Sequence, residues 1–518
     1  MIRKIIVLAV CAVFSHFAAA DGSQIIGTQA IQLSALGTFK SGPYDQGAAE
    51  IVSYDAATQQ AYVVNGFAKT IDVFSLAQPD KPALINQIKL KAYGAPNSVA
   101  VKRGLVAVAV AAKPKQDPGS IVVFDLNGEH LNTFKVGALP DMVTFTPDGS
   151  VILSANEGEP NDDYTVDPEG SISLIPVGKD IRQQSQADVR TADFSAFNTQ
   201  LLNPAIRIFG KNASVAQDLE PEYITVSADS KTAWVALQEN NALAVIDIAA
   251  SKVTALLPLG TKSHALSGNG FDASDEDGGA HIQTWPVEGM YQPDTITSYT
   301  VDGETMIVTA NEGDARDYDG YSEETRVGKL NLSKVLTQAY PKLGSNKQLG
   351  RLKVSQVGAD TDGDGKADRL LAYGARSFSI WSAQGDLIFD SGDQFEQITA
   401  QLEPALFNVD DDRSDNKGPE PEALALGEIE GRIYAFIGLE RTGGIMIYDI
   451  TEPAAAAFVH YFTTRKAVAD DDTPEAGDIA PESIAFVSAK DSASGQPFLI
   501  TANEVSGTVS TYAISVRH

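Results

Sequence analysis

Apolar residues along this chain come in short runs, alternating or continuous, bounded by Gly, Asp, Asn and Pro. That pattern predicts β-strands, half-buried where it alternates and buried on both faces where it is continuous. Helical periodicity is nearly absent. The one plausible helix lies near Leu330 to Tyr340, inside a loop. A unit recurs along the chain: a proline and an acidic or amide residue, then an apolar strand. It reads "APNSVAV" (95–101), "LPDMVTF" (139–145), "EPEYITV" (220–226), "QPDTITSY" (292–299), "EPEALAL" (420–426) and "APESIAF" (480–486). "AAEIVSY" (48–54) is the same unit without its proline.

A second strand follows each opener, such as "VILSANE", "MIVTANE" or "FLITANE". A third resembles "TIDVFSL" or "GIMIYDI", and an outer fourth resembles "LINQIKL". Four-stranded antiparallel units at a spacing of roughly 40 residues predict an all-β fold, a single β-propeller with long loop insertions. One more unit lacks the opener: "RLKVSQV" (351–357), "RLLAYGA" (369–375), "SFSIWSA" (377–383) and "DLIFDSG" (386–392). Counting it gives eight repeat units; merging it with its neighbour gives seven blades. The last unit lacks a fourth strand, and "IQLSALGTF" (31–39) is expected to supply it and close the ring.

Propeller topology turns the repeat into geometry. The start of each first strand, the end of each second strand and the loop after it share one face. The openers place Glu50, Asp141, Glu222, Asp294, Glu422 and Glu482 there, with Asn97 in the seventh place. The second strands end in Glu157, Glu239, Glu312, Glu440 and Glu504, several within the tripeptide "ANE", which adds Asn311. "TANEGDARDYDGYSEETRV" (309–327) continues from one such end and carries Asp314 and Arg316. Two carboxylates about 5 Å apart, at an effective dielectric near 20, repel by roughly 3 kcal/mol. A channel mouth ringed with them must be solvated, protonated or loaded with cations. The other reading is that each acid caps backbone N–H groups at its strand entry. Arg376 and Arg441 fall on the same face and are candidates to clamp an anionic group.

"DTDGDGKAD" (360–368) is a separate calcium signal. Asp360, Asp362 and Asp364 alternate, Gly365 allows a sharp turn, Lys366 offers a carbonyl and Asp368 follows. The bidentate acid of a full EF-hand loop is missing, since Leu371 stands in its place, so weak affinity is expected. Read as a connection between the first two strands of its unit, the loop is placed on the face opposite the mouth. "NGFDASDEDGGAH" (269–281), with Asp272, Asp275 and Asp277, is a second candidate or a solvated insertion.

The formal net charge of −29 excludes nucleic acid and anionic lipid as natural partners and favours divalent cations. Arg3 and Lys4, an apolar run and Ala18-Ala19-Ala20 predict a signal peptide over 1–20, leaving 21–518 as an exported, soluble domain, periplasmic or extracellular. Cys11, the one cysteine, leaves with it. No later segment is apolar and long enough to span a bilayer. The six histidines show no ligand spacing, and HExxH, GxSxG and Walker sequences do not occur. Hydrolysis would require metal-activated water and carboxylates.

At "GNGFDASDEDGG", "WPVEGMYQPDTI", "TANEGDARDYDGYSEETRV", "DTDGDGKADRLLAYGARSFSIWSAQGDLIFDSGDQFEQI" and "DDRSDNKGPEPEAL" the chain resembles the choice-of-anchor I family. The resemblance implies an exported propeller of the mesenchyme-specific cell-surface glycoprotein type, a group in which some members bear an alkaline-phosphatase-like label. The chain ends at "SVRH", directly after its last strand, so a C-terminal anchor is not expected. Two functions stay open. One is a calcium-binding propeller that takes a ligand or a cell-surface component at its mouth. The other is a calcium-dependent phosphoric ester hydrolase, with acids holding metal, Arg376 or Arg441 holding the phosphate of an anionic small molecule, and Glu312, Asp314, Arg376 and Arg441 as the candidate catalytic residues.

Overall fold

The computed structural model describes residues 27, 28 and 30–517. The signal peptide expected over 1–20, with Cys11, lies outside the described residues. Seven four-stranded antiparallel sheets account for most strands. Blade 1 runs Val52–Asp55, Gln60–Asn65, Thr70–Ser75 and Ala83–Lys89; blade 2 runs Ala95–Lys102, Leu105–Ala111, Pro118–Asp125 and His130–Ala138. Blade 3 comprises Pro140–Phe145, Val151–Asn156, Ser171–Pro176 and Arg190–Asp193; blade 4 comprises Pro221–Val226, Thr232–Leu237, Ala242–Asp247 and Lys252–Pro258. Blade 5 is Ile296–Val301, Glu304–Asn311, Ser377–Ser382 and Leu387–Asp390; blade 6 is Pro421–Ile429, Arg432–Leu439, Ile445–Asp449 and Ala457–Phe462. In blade 7, Pro481–Val487, Phe498–Asn503 and Thr508–Val516 are completed by Ile31–Lys40.

That last strand is the expected closure. Ile31 pairs with Val516 and Lys40 with Thr508, so the two ends of the described chain share one blade. The first strand of each blade packs against the first strand of the next, and that of blade 7 packs on that of blade 1. The β-propeller is therefore a ring of seven. The core lies between blades, which explains why second strands are apolar without a break. In blade 1, Tyr62 and Val64 pack against Val99, Val106 and Val108 of blade 2. The alternate residues Ala61 and Val63 pack against Phe498, Ile500 and Ala502 of blade 7. Each fully buried Val, Ile or Phe is worth about 1.5–3 kcal/mol over leaving it in water.

The eighth unit counted in the sequence is not a blade. Its last two strands are the third and fourth strands of blade 5, where Ile307 pairs with Trp381 and Trp381 with Leu387. Its first two join Thr261–Ser263, Glu288–Met290 and Glu324–Arg326 in a five-stranded sheet outside the ring. This cap has its own core, with Phe271, Trp285, Val327, Leu352, Val354 and Leu370 in contact. Residues 312–376, which the sequence divides between an acidic loop and two strands of a further unit, thus form a packed insertion. The expected helix is present as Lys334–Ala339. Gln394–Leu402, a helix that the sequence reading did not identify, buries Phe395 and Ile398 between blades 5 and 6.

Candidate functional site

The repeated opener has a structural cause. Strand pairing slips between Pro96 and Ser98, Pro140 and Met142, Pro221 and Ile224, Pro421 and Leu424, and Pro481 and Ser483. The unpaired stretches hold Asn97, Asp141, Glu222, Glu422 and Glu482. A bulge releases a side chain from the alternation of the pleat, and the proline has no N–H to lose where the ladder breaks. Leu139, Gln292, Glu420 and Ala480, each just before its proline, have φ of +46°, +39°, +52° and +59°. Such backbone is costly for residues with a Cβ and gathers at functional sites. Glu50 and Asp294 stand just ahead of the paired parts of blades 1 and 5.

The result is a cavity of about 300 Å³ at the ring's centre, lined by Glu50, Asn97, Asp141, Tyr223, Asp294 and Glu482 among others. Burial pushes the Glu50 carboxyl up to about 8, helped by Glu504 and Asp141. Burial and Glu159 push Asp141 up to about 6. Glu222, Glu422 and Glu482 are raised well above the usual carboxylate range, by burial first and then by nearby acids, Glu239 foremost for Glu222 and Glu440 for Glu422 and Glu482. The second-strand ends join them. Glu239 and Glu440 are each raised to about 8, by burial and then by Asp314 and Glu312 respectively. Glu157 and Glu504 are half-buried and raised by burial too.

Asn311 does not belong to this mouth. It is fully buried inside blade 5, donating to Ser379 Oγ (2.8 Å) and Ser377 Oγ (3.2 Å) and accepting from Thr309 Oγ1 (2.8 Å). Asn156 repeats these contacts in blade 3 with Ser171 and Ser173. Neighbouring strand residues face opposite ways, so the Asn of "ANE" ties second strand to third while the Glu meets the channel.

The acids are densest between blades 5 and 6. Asp294, Glu312 and Glu422 each bring one carboxylate oxygen within 4.8 Å of the other two, and Glu312, Glu420 and Glu440 do the same. Lys417 pairs with Glu312 and lies 3.4 Å from Glu420. Gln238 donates to the other Glu312 oxygen at 3.0 Å. Arg413 donates to Glu420 at 2.6 Å, and Arg441 reaches Glu440 at 2.7 Å and Glu420 at 3.6 Å. Although burial alone would raise it, these cations hold Glu420 below the usual carboxylate range. The sequence reading missed Lys417, Glu420 and Gln238. Only the run of charges ahead of the blade 6 opener, 410–420, hinted at the first two.

The choice-of-anchor I domain model matches residues 50–453. The chain belongs to the choice-of-anchor I family. It is 32% identical to Gigasin-3a of Magallana gigas over 193 residues, 34% of this chain and 67% of that protein. It is 28% identical to the mesenchyme-specific cell surface glycoprotein of Strongylocentrotus purpuratus over 298 residues, 49% of this chain. The match spans only 37% of that relative's length. Among solved structures it is similar to Kuenenia stuttgartiensis hydrazine synthase (13% identity, TM-score 0.48, 92% of this chain and 98% of that one). It is also similar to the β-propeller domain of Myceliophteria thermophila Cps50 (Swd1) (8%, TM-score 0.46, 93% and 100%).

Of the arginines in this choice-of-anchor I propeller, Arg441 alone of the two proposed clamps stays reachable, with a side chain 40% exposed. Arg376 is buried. It pairs with Glu396 at 2.6 Å, donates to the carbonyls of Asp272, Ser414 and Asn416, and stacks on Phe271. With these donors spent on the protein, it ties the cap to the ring and does not hold a substrate. Arg316 is 1% exposed, paired with Asp218 and Glu220 over the Phe209 ring. Asp314 is exposed and caps its own turn at Ala315 N (2.8 Å), so it stands at the rim. The acidic loops after the second strands of blades 3 and 5 meet: Gly320 N donates to Asp162 O at 2.8 Å and Tyr318 Oη to Glu159 at 2.7 Å.

The cap also moves the calcium motif. It lies between the second and third strands of blade 5, on the mouth's side of the connectivity and not on the opposite face. Asp360, Asp362 and Asp368 bring oxygens within 4.8 Å of one another. Asp364 pairs instead with the Lys366 ammonium. Asp360 accepts from Gly363 N (2.7 Å) and Gly365 N (2.9 Å). In the second candidate Asp275 is taken by Arg351 (2.5 and 2.7 Å), and the grouped residues are Asp272, Asp277 and His281. A larger groove of about 680 Å³ between 202–209 and Glu288–Met290 holds Arg207, Glu288 and Arg369 but none of the mouth acids. Its charges are already paired with each other or with Glu323.

Proposed function

We propose that this choice-of-anchor I protein is an exported β-propeller that binds calcium at its acidic channel mouth and there takes an anionic ligand or a cell-surface component. One observation carries the reading. Bulges in blades 3 and 7 deliver Asp141 and Glu482 to one cavity with Glu50 and Asp294, where burial and the neighbouring acids raise their proton affinity. Carboxylates so placed are far more stable with a hard, oxygen-seeking cation among them. The apolar N-terminal stretch and a relative named for the cell surface support export. Binding is favoured over ester hydrolysis because Arg376 is locked in the fold and Asp314 stands at the rim. The cap loop 360–368 is a second, weaker calcium site.

Calorimetric titration of the purified protein with calcium chloride tests this. Wild type is expected to bind calcium, and the double variant Glu50→Gln, Asp141→Asn to lose at least tenfold in mouth affinity. No binding, or binding unchanged in the double variant, sinks the reading. Calcium-dependent release of phosphate from p-nitrophenyl phosphate would replace it with the hydrolase.

A further inference from the structure

Two acidic trios share Glu312, and they differ in what neutralises them. Glu312, Glu420 and Glu440 already hold Lys417, Arg413 and Arg441 between them. Among the described residues, no ion pair reaches Asp294 or Glu422. Glu422 is 8% exposed, and its Oε2 is buried with no hydrogen-bond partner. That oxygen sits on a side chain whose carboxylate is grouped with Asp294 and Glu312. A buried, unpartnered carboxylate oxygen costs the fold unless something fills its place. Among the described residues, the one cation paired with this trio is Lys417, and it pairs only with Glu312, whose second oxygen is held by Gln238.

We propose that Asp294, Glu312 and Glu422 form a divalent-cation site of the calcium class at the junction of blades 5 and 6, and that Lys417 is its built-in competitor. A cation entering the trio must take a Glu312 oxygen, and the one held by Lys417 is open to exchange of one positive charge for another. A flexible ammonium moves aside at less cost than the Gln238 amide, which is fixed on the second strand end of blade 4. Displaced from Glu312, Lys417 keeps Glu420 as partner and stands beside Arg441, where the two cations face an anion brought in with the metal. Cation binding then precedes and creates anion binding. This inference rests on the mouth being cation-binding, and it assigns the site and its order.

The test uses the full exported chain, titrated with calcium chloride and then with inorganic phosphate. Glu422→Gln is expected to weaken mouth calcium binding at least tenfold and yet to leave Tm without metal unchanged or higher, because a neutral amide fits a position where a carboxylate is crowded by Asp294 and Glu312. Lys417→Met is expected to tighten calcium several-fold and to abolish phosphate binding to the calcium-loaded protein. Asp362→Ala, in the cap loop, leaves both unchanged. Phosphate binding to the wild type that needs calcium supports the order; binding without calcium overturns it. If Glu50→Gln with Asp141→Asn weakens calcium but Glu422→Gln does not, the mouth reading stands and this site is wrong. If Lys417→Met fails to fold, Glu422→Gln still decides the location, since a purely structural Glu422 would lower Tm when changed.

Discussion

Arg376 shows how far chain position misleads about a side chain. It follows a propeller's channel face, where an arginine reads as an anion clamp. Its guanidinium instead meets Glu396 and three carbonyls with Phe271 beneath it. Removing one partner of a buried pair leaves the other charge stranded, at a cost of roughly 3–5 kcal/mol. Arg376→Met is therefore expected to lose about that much stability in a urea titration, while calcium binding at the mouth stays within twofold at temperatures where the protein is folded. A large loss of binding with unchanged stability would restore the clamp. Asn311 carries the same lesson, since its neighbour Glu312 faces the channel and strand alternation sends Asn311 into the blade.

At the scale of elements, the opener was legible because its physical requirement is local. A proline, a bulge and a free side chain need only a few adjacent residues. Blade 5 was not legible, because 312–376 separate its second strand from its third. Loop-closure entropy grows only slowly with length, so a fold tolerates such an insertion and the sequence loses the adjacency. The same insertion carries the calcium loop to the mouth's side. Asp360, Asp362 and Asp364 are exposed and Asp368 is half-buried; the Gly365 and Gly363 N–H groups hold Asp360, and the Thr361 hydroxyl and then its N–H hold Asp368, below the usual carboxylate range. A chelator is expected to lower the Tm of the wild type in two parts, one from the mouth and one from the cap. Asp362→Ala should abolish the cap part alone in differential scanning calorimetry. An unchanged two-part response would deny calcium to this loop.

The whole molecule sums the field of a ring of acids on a chain of net charge −29. Glu50, at about 8 against 4.5 for a free carboxyl, takes up its proton more readily folded than unfolded. Its contribution to stability is thus full below pH 4.5 and is lost as pH rises through 8. Metal-free protein is expected to lose Tm steadily from about pH 5 to pH 8, and Glu50→Gln to flatten the decline. Calcium should restore most at the alkaline end, where the carboxylates are free to bind it. A metal-free Tm that rises over that interval would contradict the buried ring.

The sequence by itself determined the β-propeller, its closing strand and the acids that meet at the mouth. Each of these is written in short-range patterns: strand alternation, proline at a broken ladder, and a repeat that has only one way to close. Tertiary structure alone decided the number seven, the cap and the sorting of charges. Which arginine is spent inside the fold, which lysine guards Glu312 and which carboxylate oxygen is left without a partner depend on contacts between residues far apart in the chain. Charge type is legible one residue at a time, whereas neutralisation belongs to pairs that only packing brings together.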